Sequence, residues 1–177
     1  MQTLDASTEI DAPAELVWQV ASDFARYPEW NPFMVRASGE QRTGARLEVT
    51  IVAPGVRAAT FKPKVLDLQP GRLIRWKGRL ILPGLFDGRH ALSVDPLSDG
   101  RARFTTHEEV TGLLLPFLGK VMRASQKGFE EMAAAVKARA ESLQAEPATS
   151  GPAGSALANS ESPAAHPSQP QAEAGAS

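Results

Sequence analysis

Hydrophobic and polar positions change rhythm three times along the chain. In "LDASTEID" the alternation sets Leu4, Ala6, Thr8 and Ile10 on one face and the charges Asp5, Glu9 and Asp11 elsewhere, which predicts a strand. Over "ELVWQVASDFARY" the period lengthens, and Val17, Val20, Ala21 and Phe24 recur at helical spacing. Pro13 suits a first helical turn, Asp11 its cap, and Glu15 the positive end of the helix dipole. Pro28 and Pro32 then break the helix, because each lacks an amide hydrogen and restricts the residue before it.

From there the period is two, in a run of strands separated by Gly, Pro and Asp turns such as "QPGR", "LPGLFDG" and "SDG". The inward sets are Leu47, Val49 and Ile51; Phe61, Pro63 and Val65; Ile74, Trp76, Gly78 and Leu80; His90, Leu92 and Val94; and Phe104, Thr106, Glu108 and Val110. The third rhythm is helical again and long. Leu118, Val121, Met122, Ser125, Phe129, Met132, Ala133, Val136, Ala140 and Leu143 keep one face apolar or small along a rod of about 39 Å. Such a rod needs an apolar surface of matching length, and the sheet supplies it. The fold class expected is therefore α+β, with a curved antiparallel sheet of about seven strands wrapped around a long C-terminal helix and two short helices after the first strand.

The segments "IDAPAELVWQVASDFARYPEWNPF", "FKPKVLDLQPGRLIRWKG", "GRHALSVDP" and "GFEEMAAAVKARAE" carry a resemblance to the SRPBCC group, the START-like and polyketide cyclase/dehydrase-like helix-grip proteins. It extends over roughly residues 3 to 142, and its most specific element is the pairing of "APAELVW" with "YPEWNPF". The resemblance implies a deep cavity between sheet and helix that in relatives holds lipids, polyketides, hormones or other apolar molecules. One scaffold serves carriers, cyclases and receptor-like binders, so it implies no single reaction.

Composition narrows the field further. The chain has 177 residues, 42% of them hydrophobic, enough for one domain with a real core. The expected division is a helix-grip domain over residues 1–144 and a disordered Ala/Pro/Ser-rich tail over 145–177, where Leu157 is the only large apolar residue and His166 a solvated tail histidine. The start "MQTLDASTEIDAP" has neither the basic flank nor the apolar stretch of a secretory signal, and no run approaches the roughly 18 to 20 apolar residues of a membrane span, so a soluble, cytoplasmic protein is expected. With Cys at 0, thiol nucleophiles, thiolate metal sites and disulfides are excluded. Up to residue 145, 19 bases face 17 acids, while Glu146, Glu161 and Glu173 make the remainder acidic; the bases form no stripe, and no nucleic-acid partner is expected.

Candidate chemistry lies where polar residues share a face with apolar ones. His90 and Glu108 are inward on consecutive strands, near enough to pair, and a buried carboxylate has its pKa raised by desolvation. They are the candidate acid and base, or else a polar pair that only orients a bound molecule. His107 falls on the outer face, and no metal-ligand spacing is present. The candidate ligand-binding set is Trp30, Trp76, Phe86, His90, Phe104, Glu108 and Phe117, with Trp30 and Phe33 aimed at the cavity mouth as gate or plug. Arg75, Lys77 and Arg79 form a basic outer row able to touch anionic lipid, and "GLLLPFLGKVM" covers the cavity.

The functional expectation is binding of a small hydrophobic or amphipathic ligand, lipid-like or polyketide-like, by a carrier or sensor without cofactor or metal. The alternative is a cofactor-independent cyclase, dehydrase or hydratase using His90 or Glu108 as acid/base. Membrane contact is expected to be transient, without stable insertion, and the protein to be a monomer or homodimer.

Overall fold

The computed structural model describes residues 1–79 and 82–146. The predicted tail from residue 147 onward, and the inward place assigned to Leu80, lie outside the described residues. The chain runs β1 (Gln2–Ile10), α1 (Ala14–Ser22), a 3-10 turn (Phe24–Arg26), α2 (Tyr27–Trp30), β2 (Met34–Gly39), β3 (Leu47–Ile51), β4 (Ala59–Phe61), β5 (Lys64–Gln69), β6 (Leu73–Arg79), β7 (Asp87–Pro96), β8 (Ala102–Thr111), a second 3-10 turn (Leu115–Phe117) and α3 (Gly119–Ala145).

Eight strands make two antiparallel ladders, β1-β8-β7-β6-β5 and β2-β3-β4. The difference from the expected seven has a local cause. β4 and β5 both come from "RAATFKPKVLDL", and Pro63 between them has no amide to give to a ladder. Pairing nevertheless continues across the break, because the Leu47 amide donates to the Pro63 carbonyl at 2.9 Å and Arg46 bridges Lys64. The two ladders thus act as one bent sheet.

Its concave side receives α3, whose Met122, Ser125, Phe129, Met132, Ala133, Val136 and Ala140 are buried. Gly128 is buried among them for a steric reason. A Cβ there would overlap the ring of Phe33, which packs edge-on against Phe129 with centroids 5.3 Å apart. At the opposite end, α1 buries Val17, Val20 and Ala21.

Two local expectations are corrected. Asp11 does not cap α1: Pro13 is the N-cap residue, and the Asp11 amide instead donates to Glu141 on α3 at 2.9 Å. Pro28 does not break a helix but lies in the first turn of α2, where its missing amide costs nothing. Asn31, extended before Pro32 as its sterics require, is buried and accepts the Phe33 and Met34 amides through Oδ1 at 3.1 and 2.9 Å. That turn directs Phe33 inward and starts β2, a strand too short and mixed to be read from alternation.

Candidate functional site

Strand register assembles the site in rows. Across one row lie Leu4, Glu108, His90, Trp76 and Val65, each the direct partner of the next. The next row towards the sheet's end holds Val110, Gly88 and Gly78. Two adjacent inward positions therefore have no side chain, and a hollow results between this part of the sheet and the start of α3. It is lined by Gly78, Gly88, Trp76, Phe86, His90 and Glu108 from the β6 to β8 region, with Phe33, Met34, Val121, Met122 and Ser125 closing it from the other side. A Cβ on Gly88 would collide with the Glu108 carboxylate, so the acid leans over the glycine into the space that Gly88 leaves.

The cavity measures about 90 Å³. This is smaller than the deep chamber that the resemblance implies, and the reason is visible in the lining: Phe33, Met34, Trp76 and Met122, all at most 5% exposed, fill most of the space under α3.

His90 is built into the wall. Trp76 stacks on its ring at 4.7 Å and 10°, Phe129 meets it edge-on at 5.1 Å, and Nε2 lies 3.2 Å from the Thr106 hydroxyl. Burial drives its pKa down to about 3, with the nearby His107 acting in the same direction, so the imidazole is neutral at physiological pH. Although His90 and Glu108 are cross-strand partners, the expected side-chain pair does not form, because Thr106 takes Nε2. Glu108 has no hydrogen bond or ion pair to any side chain among the described residues. Burial pushes its carboxyl up to about 7, against an opposing pull from His107. A carboxyl poised there both donates and accepts: protonated, it bonds a carbonyl or ether oxygen, and ionised, it accepts from a hydroxyl.

The candidate residues thus separate into two groups. Trp76, Phe86, His90 and Glu108 meet at one cavity. Trp30, Phe104 and Phe117 do not reach it. α2 turns Trp30 against Tyr27, with centroids 5.1 Å apart, and into a groove with Leu16, Val20, Arg139 and Leu143. Phe33, three residues on, faces the cavity in its place. Phe104 shares the inward face but is paired with Val94 and Thr8, two rows from His90, where packing is solid and Phe104 is fully buried. Phe117 belongs to the second 3-10 turn, ahead of α3, and is 84% exposed.

Sequence reading missed Gly88, Met34, Val49, Ile51, Phe61, Pro63, Val121, Met122 and Ser125 as lining residues and did not see the glycines as the source of the hollow. Gly78 already fell on an inward face by alternation; its neighbour in the next strand becomes visible only when the register is known. His107 lies on the outer face, bonded through Nδ1 to Asp5. Of the basic row, Lys77 and Arg79 lie 3.9 and 3.7 Å from Asp87, so their charge is partly neutralised. No cluster of three potential metal ligands occurs among the described residues, and none of the described helices is long and apolar enough to cross a membrane.

Solved structures with this architecture include the ZhuI aromatase/cyclase from Streptomyces sp. R1128, at 17% identity and TM-score 0.65, with 79% of this chain and 93% of that one covered. A START superfamily protein from Mycobacterium smegmatis is 21% identical, with TM-score 0.63 and coverage of 80% and 98%. The di-domain aromatase/cyclase BexL of the BE-7585A biosynthetic pathway is 19% identical, with TM-score 0.64 over 82% of this chain and 48% of that one. No curated protein matches the sequence. Residues 1–141 match the family described as polyketide cyclase / dehydrase and lipid transport, and with a bent sheet gripping a long C-terminal helix the chain belongs to that family.

Proposed function

We propose that the protein binds a small apolar or amphipathic molecule in the cavity between β6–β8 and α3, as a carrier or sensor. The observation that carries this reading is the glycine-made hollow with a single unpartnered carboxyl, Glu108, leaning into a mostly apolar lining in which His90 and Ser125 are the other polar side chains. Burial of ligand carbon at about 25 cal/mol per Å² supplies affinity, Glu108 supplies orientation, and the stacked Trp76 and His90 form a flat apolar wall. At about 90 Å³ the cavity is below the roughly 300–1,000 Å³ of ordinary ligand pockets, so in this reading a ligand enters by displacing side chains such as Phe86 or Met122.

A second reading, a cyclase or dehydrase type of enzyme, is favoured by one specific feature, the Glu108 carboxyl held near 7. In that reading Glu108 moves the proton and His90, neutral and enclosed, shapes the wall. Native mass spectrometry of the purified protein separates the two: a carrier retains an unchanged molecule. Conversion of an added aromatic or acyl ketone, lost in Glu108→Gln with binding intact, establishes the enzyme. A protein that retains nothing, and whose tryptophan fluorescence responds to no apolar ligand in a titration series, has no ligand-binding cavity.

A further inference from the structure

Apart from Met1, the large apolar side chains standing furthest into solvent among the described residues are Phe117 at 84%, Leu113 at 75% and Leu82 at 59% exposure. All three lie on two neighbouring loops, one leading into β7 and one linking β8 to α3. The loops are braced against each other. The Leu113 amide donates to the Gly84 carbonyl at 3.0 Å and the Leu114 amide to the Leu85 carbonyl at 3.1 Å. Gly112, at φ 142°, permits this approach, since any Cβ there would strike the Leu85 carbonyl. A braced ridge presenting three apolar tips is a surface with a use, because such groups gain by leaving water. The ridge also borders the cavity, whose lining includes Phe86 from the first loop and Val121 just beyond the second.

Charge decides what the ridge meets. From Thr111 to Phe129 there is no acidic residue, while Lys120, Arg123 and Lys127 are basic. Lys120 and Arg123, in the first turns of α3, form no ion pair among the described residues, whereas Lys127 lies 3.8 Å from Glu131. Protruding Leu and Phe tips backed by free cations match the two layers of an anionic bilayer surface, acyl boundary and phosphate headgroups. Protruding tips offer no groove for a helix and no free strand edge for a peptide.

We propose that the Leu82, Leu113 and Phe117 ridge docks on an anionic lipid bilayer, with Lys120 and Arg123 on the headgroups and the cavity's rim against the membrane. This places the lipid contact on the ridge and not on the sheet row of Arg75, Lys77 and Arg79. It does not depend on which molecule the cavity takes or on whether it is converted.

The test is co-sedimentation of the whole chain with vesicles of phosphatidylcholine alone and of phosphatidylcholine mixed with phosphatidylglycerol. Binding to the mixed vesicles that weakens with salt is expected. Phe117→Ser should lower the partition coefficient about tenfold, and Lys120→Glu with Arg123→Glu by a similar factor, with melting temperatures unchanged because these side chains are exposed. Arg75→Glu serves as the sheet-face control and should leave binding as it was. Absence of binding to either vesicle overturns the proposal, as does binding that survives both ridge variants. Loss of concentration-dependent self-association in Phe117→Ser, without vesicle binding in the wild type, would assign the ridge to a protein contact instead.

Discussion

Glu108→Gln tests whether the hollow behaves as a low-dielectric site. In the unfolded chain this carboxyl ionises near its ordinary value of 4.5, and in the fold burial moves it to about 7. Between those values the folded protein holds a proton that the unfolded chain has released, so stability falls as pH rises; below 4.5 no cost exists, and above 7 the whole cost is present. The span corresponds to about 3 kcal/mol at 1.36 kcal/mol per pH unit, and water reaching the partly exposed residue reduces the expectation to about 1–3 kcal/mol. Glutamine has nearly the same shape and never ionises. Wild type and Glu108→Gln should therefore melt together near pH 4, and the variant should gain about 3–10 °C by pH 8. Thermal unfolding followed by circular dichroism across this range measures the divergence, and carbon NMR titration of the Glu108 carboxyl reports its pKa directly. A variant that is less stable than wild type at pH 8, or a difference that does not change with pH, would mean that the carboxylate is paired or fully hydrated, and the proposed polar anchor in an apolar pocket would be gone.

His90 predicts the opposite limb: its folded pKa of about 3 lies below the ordinary 6.5, so the stability it contributes as a neutral wall residue is lost as pH falls through that interval. His90→Gln should flatten the acid side of the melting profile, whatever its effect at neutral pH. Gly128→Ala should destabilise by about 1–3 kcal/mol in urea unfolding, since the new methyl enters the ring of Phe33; Phe33→Leu in the same chain should recover part of the loss, and no recovery would refute that packing account. Gly78→Ala, whose Cβ would meet nothing closer than Pro63 at 3.8 Å, should fold with unchanged or slightly raised stability yet bind apolar fluorophores less well, read by titration of the fluorophore's emission. Asn31→Ala should cost about 1–3 kcal/mol by leaving the Phe33 and Met34 amides without their acceptor.

Much of the scaffold was legible because binary patterning repeats. Inward positions from Leu47 to Val110 follow a period of two, and the buried face of α3 follows a helical period through Ala140. What patterning reports is the face, not the depth or the neighbours. Phe104 and Glu108 alternate alike in β8, yet one is locked in solid core and the other leans into a hollow two rows away. Trp30 and Phe33 are three residues apart in a proline-bounded corner, and one helical turn plus the Asn31 hydrogen bonds send them to different sides of the molecule. Phe117 read as a cover because an apolar run usually packs; here the 3-10 turn leaves it in solvent.

By itself the sequence determined the kinds and order of elements, the face of each that turns inward, and the presence of an imidazole and a carboxyl on that face, because these follow from local periodicity and local sterics. Only the tertiary structure decided that Gly78 meets Gly88, that Thr106 and not Glu108 takes the His90 nitrogen, and that Glu108 is the carboxyl left facing the cavity. Those facts depend on strand register and on the fit of α3 across the sheet, relations between residues far apart in the chain that no local pattern contains.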